Sequence, residues 1–219
     1  IDGPRTDVSD ITTYTYDPTA GSLSSIAQPL IGTTTYSNFD GLGNPQTVTD
    51  PNGNATTYTY DTAGRMQTVK APGDTAATQY FYITGGCSSC GGGANKIDHI
   101  TLPEGKTIWY TYDSLGNLSS IKDNANNSIN YTYDSEGNKL KEEIRDSGSV
   151  LQKTLSYQYD ALNRLKRITN PDSSYTEYGY DAIGNRVSLR TPNSALSTYA
   201  YDALNRLTST LQPLNASTI

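Results

Sequence analysis

The feature that most limits what this 219-residue chain can fold into is a short arrangement of Tyr, Tyr, Asp and Gly that returns along nearly all of it. It is clearest at Tyr58-Thr-Tyr60-Asp61-Thr-Ala-Gly64-Arg65. It recurs around Tyr14, Tyr16 and Asp17; Tyr110, Tyr112, Asp113 and Gly116; Tyr131, Tyr133, Asp134 and Gly137. Further copies hold Tyr157, Tyr159 and Asp160; Tyr178, Tyr180, Asp181 and Gly184; and Tyr199, Tyr201 and Asp202. Two copies are degraded: Phe39-Asp40 follows Ser37 where the first Tyr is expected, and Tyr80-Phe-Tyr82-Ile83 lacks its Asp. The commonest step between Asp positions is about 21 residues, enough for two strands of five or six residues with a turn at each end and too short for a pair of helices.

Turn chemistry fits that period. In Asp-x-x-Gly, the Asp opens a type I turn and its carboxylate accepts hydrogen bonds from backbone N–H groups ahead of it, while the Gly supplies a positive φ. Where Gly is missing, Asn163 and Asn205 stand in its place, and Asn is the other residue that tolerates the left-handed region. A second set of breakers recurs between the motifs, at Asp50-Pro51-Asn52-Gly53, Ala71-Pro72-Gly73, Leu102-Pro103-Glu104-Gly105, Asn170-Pro171-Asp172 and Thr191-Pro192-Asn193. The expected architecture is all-β: tandem antiparallel hairpins of about 21 residues forming a long curved or spiralling sheet. About nine repeats make one array over residues 1–219, lengthened by a Gly/Cys-rich insertion at 84–95 and by a longer link at Asp146-Ser147-Gly148-Ser149.

Tyr residues two apart project from one face of a strand, so stacked hairpins would line them up. Composition requires this: Leu, Ile, Val and Phe together make only 38 of 219 residues, whereas 18 Tyr, 16 of them in the pairs, supply apolar area. Each hydroxyl needs a partner, so the Tyr layer is expected to be amphipathic and partly wet. Return strands carry apolar residues three apart, such as Met66 and Val69 or Leu165 and Ile168. Strict alternation would put them on opposite faces; either a bulge rephases them or the first packs at the turn exit.

A net charge of −6 with no basic face argues against nucleic acid, and no apolar run reaches the length of a membrane span. The chain begins at Ile1 without Met or an apolar leader and reads as a processed or excised piece.

Few residues invite chemistry. Cys87 and Cys90, in a Gly-rich loop, read first as a local disulfide; free or intermolecular thiols, a metal site completed by His99 and Asp98, and a redox motif are the alternatives. The Asp series reads as turn chemistry, since a hard cation needs many oxygens converging on one point. A single histidine, His99, removes most general-base schemes. Trp109 is either a packed strand residue or an exposed platform for a sugar. Sequons at Asn54, Asn117, Asn126, Asn130 and Asn215 arise easily in such a composition.

The repeated Tyr-x-Tyr-Asp-x-x-Gly-Asn/Arg unit resembles the YD repeats of RHS proteins, among them bacterial wall-associated proteins, shell subunits of insecticidal toxin complexes, and teneurins. The resemblance implies hairpins winding into a curved sheet, often a shell around a cargo polypeptide, in proteins secreted or displayed at the cell surface. Nothing after Asp202 matches the self-cleaving module of larger members. The expected function is structural or interactive, with no enzymatic activity and no cofactor. Partners would be further repeats, encapsulated cargo or a second copy joined through open strand edges into a filament, with carbohydrate as a further candidate.

Overall fold

In a computed structural model, residues 11–84 and 95–212 are described, and among them every regular element is a β-strand. Cys87, Cys90 and Asn215 lie outside these residues. By contacts the chain divides into two units, the division falling between Trp109 and Tyr110.

The first unit holds β1 (Thr13–Tyr16), β2 (Leu23–Gln28), β3 (Gly32–Phe39), β4 (Pro45–Thr49), β5 (Ala55–Tyr60), β6 (Met66–Lys70), β7 (Thr78–Tyr82), β8 (Ile97–Thr101) and the first half of β9 (Thr107–Tyr112). The second holds the rest of β9, then β10 (Leu118–Asp123), β11 (Ser128–Tyr133), β12 (Lys139–Arg145), β13 (Leu151–Tyr159), β14 (Leu165–Thr169), β15 (Tyr175–Tyr180), β16 (Arg186–Arg190), β17 (Leu196–Tyr201) and β18 (Leu207–Leu211). Within each unit consecutive strands pair antiparallel, as β5 does with β4 and β6, and β15 with β14 and β16. The chain is therefore a run of hairpins in which every pairing is local in sequence, as the period requires.

Most turns at the two edges share one geometry, the Asp17 turn being one residue longer, with its N–H donating to the Ser22 carbonyl. At Asp61 the backbone N–H donates to the Arg65 carbonyl at 2.8 Å and Gly64 N–H donates to the Asp61 carbonyl at 2.9 Å, closing a three-residue loop. Gly64 has φ +78°, and Asn163 and Asn205 occupy the same position at φ +59° and +60°. The other edge repeats the pattern at Asp50, Asp123, Asn170 and Thr191. Asp146 opens a turn of the same kind, so the longer step there is taken up in seven-residue β12 and nine-residue β13 instead of an extended link.

A bulge settles the three-residue spacing of the return strands. Tyr58 faces Val69 and Thr59 faces Thr68, but Tyr60 faces Met66, leaving Gln67 as the extra residue. Both apolar residues thereby come to the Tyr face. The same shift sets Tyr157 opposite Ile168 and Tyr159 opposite Leu165, and recurs in five further hairpins at Tyr16, Tyr82, Tyr133, Tyr180 and Tyr201. In the degraded second copy it is Tyr36, not Ser37, that faces Val48 as the first aromatic, with Phe39 opposite Pro45 and Asn38 between them at φ +54°.

Among the described residues no side chain is buried. In β5 exposed and half-exposed residues alternate, with Tyr58 and Tyr60 on the half-exposed side and Thr57 and Thr59 in solvent. The Tyr face is the partly wet layer that the composition calls for.

Backbone conformation at the turn exit gives a direct test. A β-branched side chain at Gly64 meets both the positive φ and the Leu42 Cδ1 atom, which would lie 3.3 Å from an added Cβ. Gly64→Val should cost about 1–3 kcal/mol, whereas Gly64→Asn should cost well under half of that, read as shifts in the urea midpoint.

Candidate functional site

What the structure assembles from the repeat residues is a set of tethers between hairpins. Its first component is the turn carboxylate. One oxygen of Asp61 accepts the N–H groups of Ala63 and Arg65, both at 2.9 Å, while the other accepts the Arg65 guanidinium at 2.6 Å. Asp40, Asp50, Asp123 and Asp134 are held in the same way, with the Asn side chain four residues on replacing Arg. The Arg65 guanidinium holds the Asp61 carboxyl below the usual range, and the Asn44 amide does so for Asp40. This residue at the fourth position was visible in the sequence as a recurring Asn or Arg, but only its side-chain bond to the carboxylate explains the choice.

The second component joins one hairpin to the one before it. The hydroxyl of Tyr180 donates to the Leu165 carbonyl at 2.9 Å, that of Tyr133 to Leu118 at 2.7 Å, and that of Tyr82 to Met66 at 2.8 Å. Tyr60, Tyr159 and Tyr201 reach Pro45, Lys139 and Arg186 likewise, each at 3.1 Å. In every case the donor is the second Tyr of a pair and the acceptor is the first residue of the preceding return strand. Burial pushes the phenols of Tyr60, Tyr82, Tyr133 and Tyr159 up from their usual range, which keeps them protonated and able to donate.

Cations close the arrangement. The Arg65 guanidinium, fixed by Asp61, lies 4.3 Å from the centre of the Tyr82 ring. Arg164 lies 4.6 Å from Tyr180 and also donates to the Asp181 carbonyl at 2.9 Å. Lys139 sits between Tyr131 and Tyr157, 5.3 and 4.4 Å from their rings, and pairs with Glu142. Neighbouring turns are linked directly by Asn138 to Asn163 at 3.1 Å and Asn185 to Asn205 at 3.3 Å.

On the opposite face Trp109 stands across from His99, and His99 across from Phe81. The Phe81 and His99 rings stack at 4.1 Å, and His99 Nδ1 bonds Asp98 at 2.7 Å. Phe81 and Trp109 are each 39% exposed. Trp109 is thus a surface residue in a row of rings, not a packed one. Among the described residues no cluster of His, Cys, Asp or Glu is arranged to hold a metal ion, and no helix is long and apolar enough to cross a membrane.

Two outcomes follow from the tethers. Tyr180→Phe leaves the Leu165 carbonyl without its donor and should lower stability by about 1 kcal/mol, measured against a Thr176→Ala control in urea unfolding. The turn carboxylates have folded pKa values below their unfolded ones, so their contribution is present above the unfolded value and is lost as pH falls through the folded one. The melting temperature should therefore hold level above the usual carboxylate range and drop through and below it; a melting temperature that rose on acidification would contradict this.

The RHS Repeat family model matches residues 39–76 and 159–196. No curated protein sequence matches the chain. Among solved structures, the TcdB2-TccC3-Cdc42 crystal structure is similar at 19% identity and TM-score 0.45, over 93% of this chain and 14% of that one. The TcdB2-TccC3-TEV structure is similar at 18% identity and TM-score 0.45, over 92% and 14%. The Tc holotoxin pore of Photorhabdus luminescens gives 18% identity and TM-score 0.45, over 87% and 13%. This chain thus spans about a seventh of the length of the solved chains it resembles. Residues 39–76 and 159–196 are thus RHS repeats, and the repeat there is the Tyr-x-Tyr-Asp hairpin tied by a phenol to the hairpin before it.

Proposed function

We propose that the chain is a structural segment, a length of scaffold or shell wall in a secreted or surface-displayed RHS-like protein, enclosing a polypeptide cargo and catalysing no reaction. The observation that carries this reading is the tether: in six repeats a hairpin fixes its predecessor through the second Tyr hydroxyl, so the repeats hold one another. The repeat carboxylates are engaged in holding turns, those of Asp61 and Asp160 bonded to both backbone and guanidinium. In the natural full-length polypeptide, limited proteolysis should show the repeats surviving as a block and a second segment protected with them, that protection disappearing when urea opens the array. Digestion of every other segment at the rate of a free peptide would refute the enclosure. Antibody labelling of intact cells, or recovery from the medium, tests the location.

A second reading rests on the exposed row of Phe81, His99 and Trp109, which offers ring edges and faces to a sugar on an otherwise Thr-rich surface. Glycan-array binding that Trp109→Ala reduces at least tenfold would support it; equal binding by both would dismiss it.

A further inference from the structure

The three-residue turns of the two edges have the same backbone geometry but not the same side chains. At the second loop position of five Tyr-Asp turns stand Leu42, Leu115, Leu162, Ile183 and Leu204, each 63–72% exposed, whereas Ala63 and Glu136 hold that position in two others. The matching position at the other edge holds Asn52, Glu104, Ala125, Gly148, Asp172 and Asn193, polar or small in every case. Backbone demands do not explain the difference. The N–H of Leu162, Ile183 and Leu204 donates to its turn Asp just as that of Asn52 does, and the side chain is left unused by the turn. The exposed apolar groups therefore answer to something outside the hairpin. The other edge has one apolar turn, Leu30 and Ile31, of a different geometry with φ +68° at Leu30.

In the second unit these tips form a row. Bonds from Asn138 to Asn163, Arg164 to Asp181 and Asn185 to Asn205 hold successive turns side by side. With two strands per repeat, the tips are about 10 Å apart. Glu136 occupies the same loop position one repeat before Leu162 and is exposed, its carboxylate accepting from the Ser135 hydroxyl. Arg206 lies beside Leu204 at the far end, its side chain 73% exposed, far more open than Arg65 and Arg164, which lie over the Tyr rings of following hairpins.

We propose that this edge is an interaction surface for a second copy of the same chain, docked antiparallel about a two-fold axis between Leu162 and Ile183. A partner must present apolar groups at the same interval of two strands, and the row itself does so. In the antiparallel register Leu162 meets the second copy's Ile183 and the reverse, while Glu136 meets Arg206 at both ends. Charge complementarity thus brackets an apolar centre, and the contact is self-complementary and closed. Exposed ion pairs add little affinity, so the charges choose the register and the aliphatic tips supply the attraction.

Sedimentation over a range of concentrations tests this on the whole chain. The expected result is a monomer–dimer equilibrium that Leu162→Asp with Ile183→Asp weakens at least tenfold. Glu136→Arg and Arg206→Glu should each weaken it, and the two together should restore it, with urea midpoints of every variant reporting separately on folding. A chain monomeric at all concentrations, association indifferent to the Asp substitutions, failure of the double charge exchange to recover the dimer, or mass that grows past the dimer would each overturn the proposal.

Discussion

The structure depends on how one backbone carbonyl per repeat is satisfied. Between hairpins the ladder stops early: β14 and β15 pair from Thr169–Tyr175 to Arg167–Glu177 and no further, leaving Leu165 two residues outside. The pairings of β6 with β7, of β10 with β11 and of β16 with β17 also stop two residues short of Met66, Leu118 and Arg186. The carbonyl so left behind is the one that the next Tyr hydroxyl reaches. A backbone acceptor must find a donor. The phenol is that donor, and this is why the second position of the pair is Tyr rather than any other large ring.

The bulge, the tether and the turn are therefore parts of one device. Asp61 and its equivalents fix a three-residue loop; the bulge just beyond it turns Met66 onto the Tyr face; the same irregularity releases the carbonyl that Tyr82 takes. Arg65 serves two parts at once, neutralising Asp61 and lying over the Tyr82 ring. Removing one component loosens the others, so substitutions within a repeat should couple, whereas those several hairpins apart within one unit should add.

Much of this was legible in the sequence because it is local. Asp, Gly and Asn at fixed offsets specify loop geometry without reference to the rest of the chain, and a two-residue Tyr spacing specifies a face. What the sequence left open depends on register. The bulge could not be told from packing at the turn exit, since both leave Met66 and Val69 three apart. The acceptor of each hydroxyl follows only once the bulge is placed. Counting back from Asp40 makes Ser37 the counterpart of the first Tyr, yet the positive φ at Asn38 inserts a residue and gives the place to Tyr36. The apolar tips were present in the Asp-x-Leu pattern, but their exposure shows only when the turn is seen to leave them unused.

A protein with no buried side chain among its described residues must draw stability from many small terms. Hydrogen bonds of about 1 kcal/mol and ring–cation contacts of about 0.5–1 kcal/mol recur along the array, so length substitutes for core depth. Such an array behaves as a chain of nearest-neighbour interfaces, in which an internal hairpin gains from two neighbours. A repeat lacking one term is then carried by those beside it. That accounts for the copy at Phe39, which has no hydroxyl to offer yet forms a turn closed at Asp40 and pairs in register on both sides. The same tolerance lets the positions facing outward, at the turn tips and on the Thr face, vary without cost to the hairpin, which is where a repeat chain can acquire a surface for a partner.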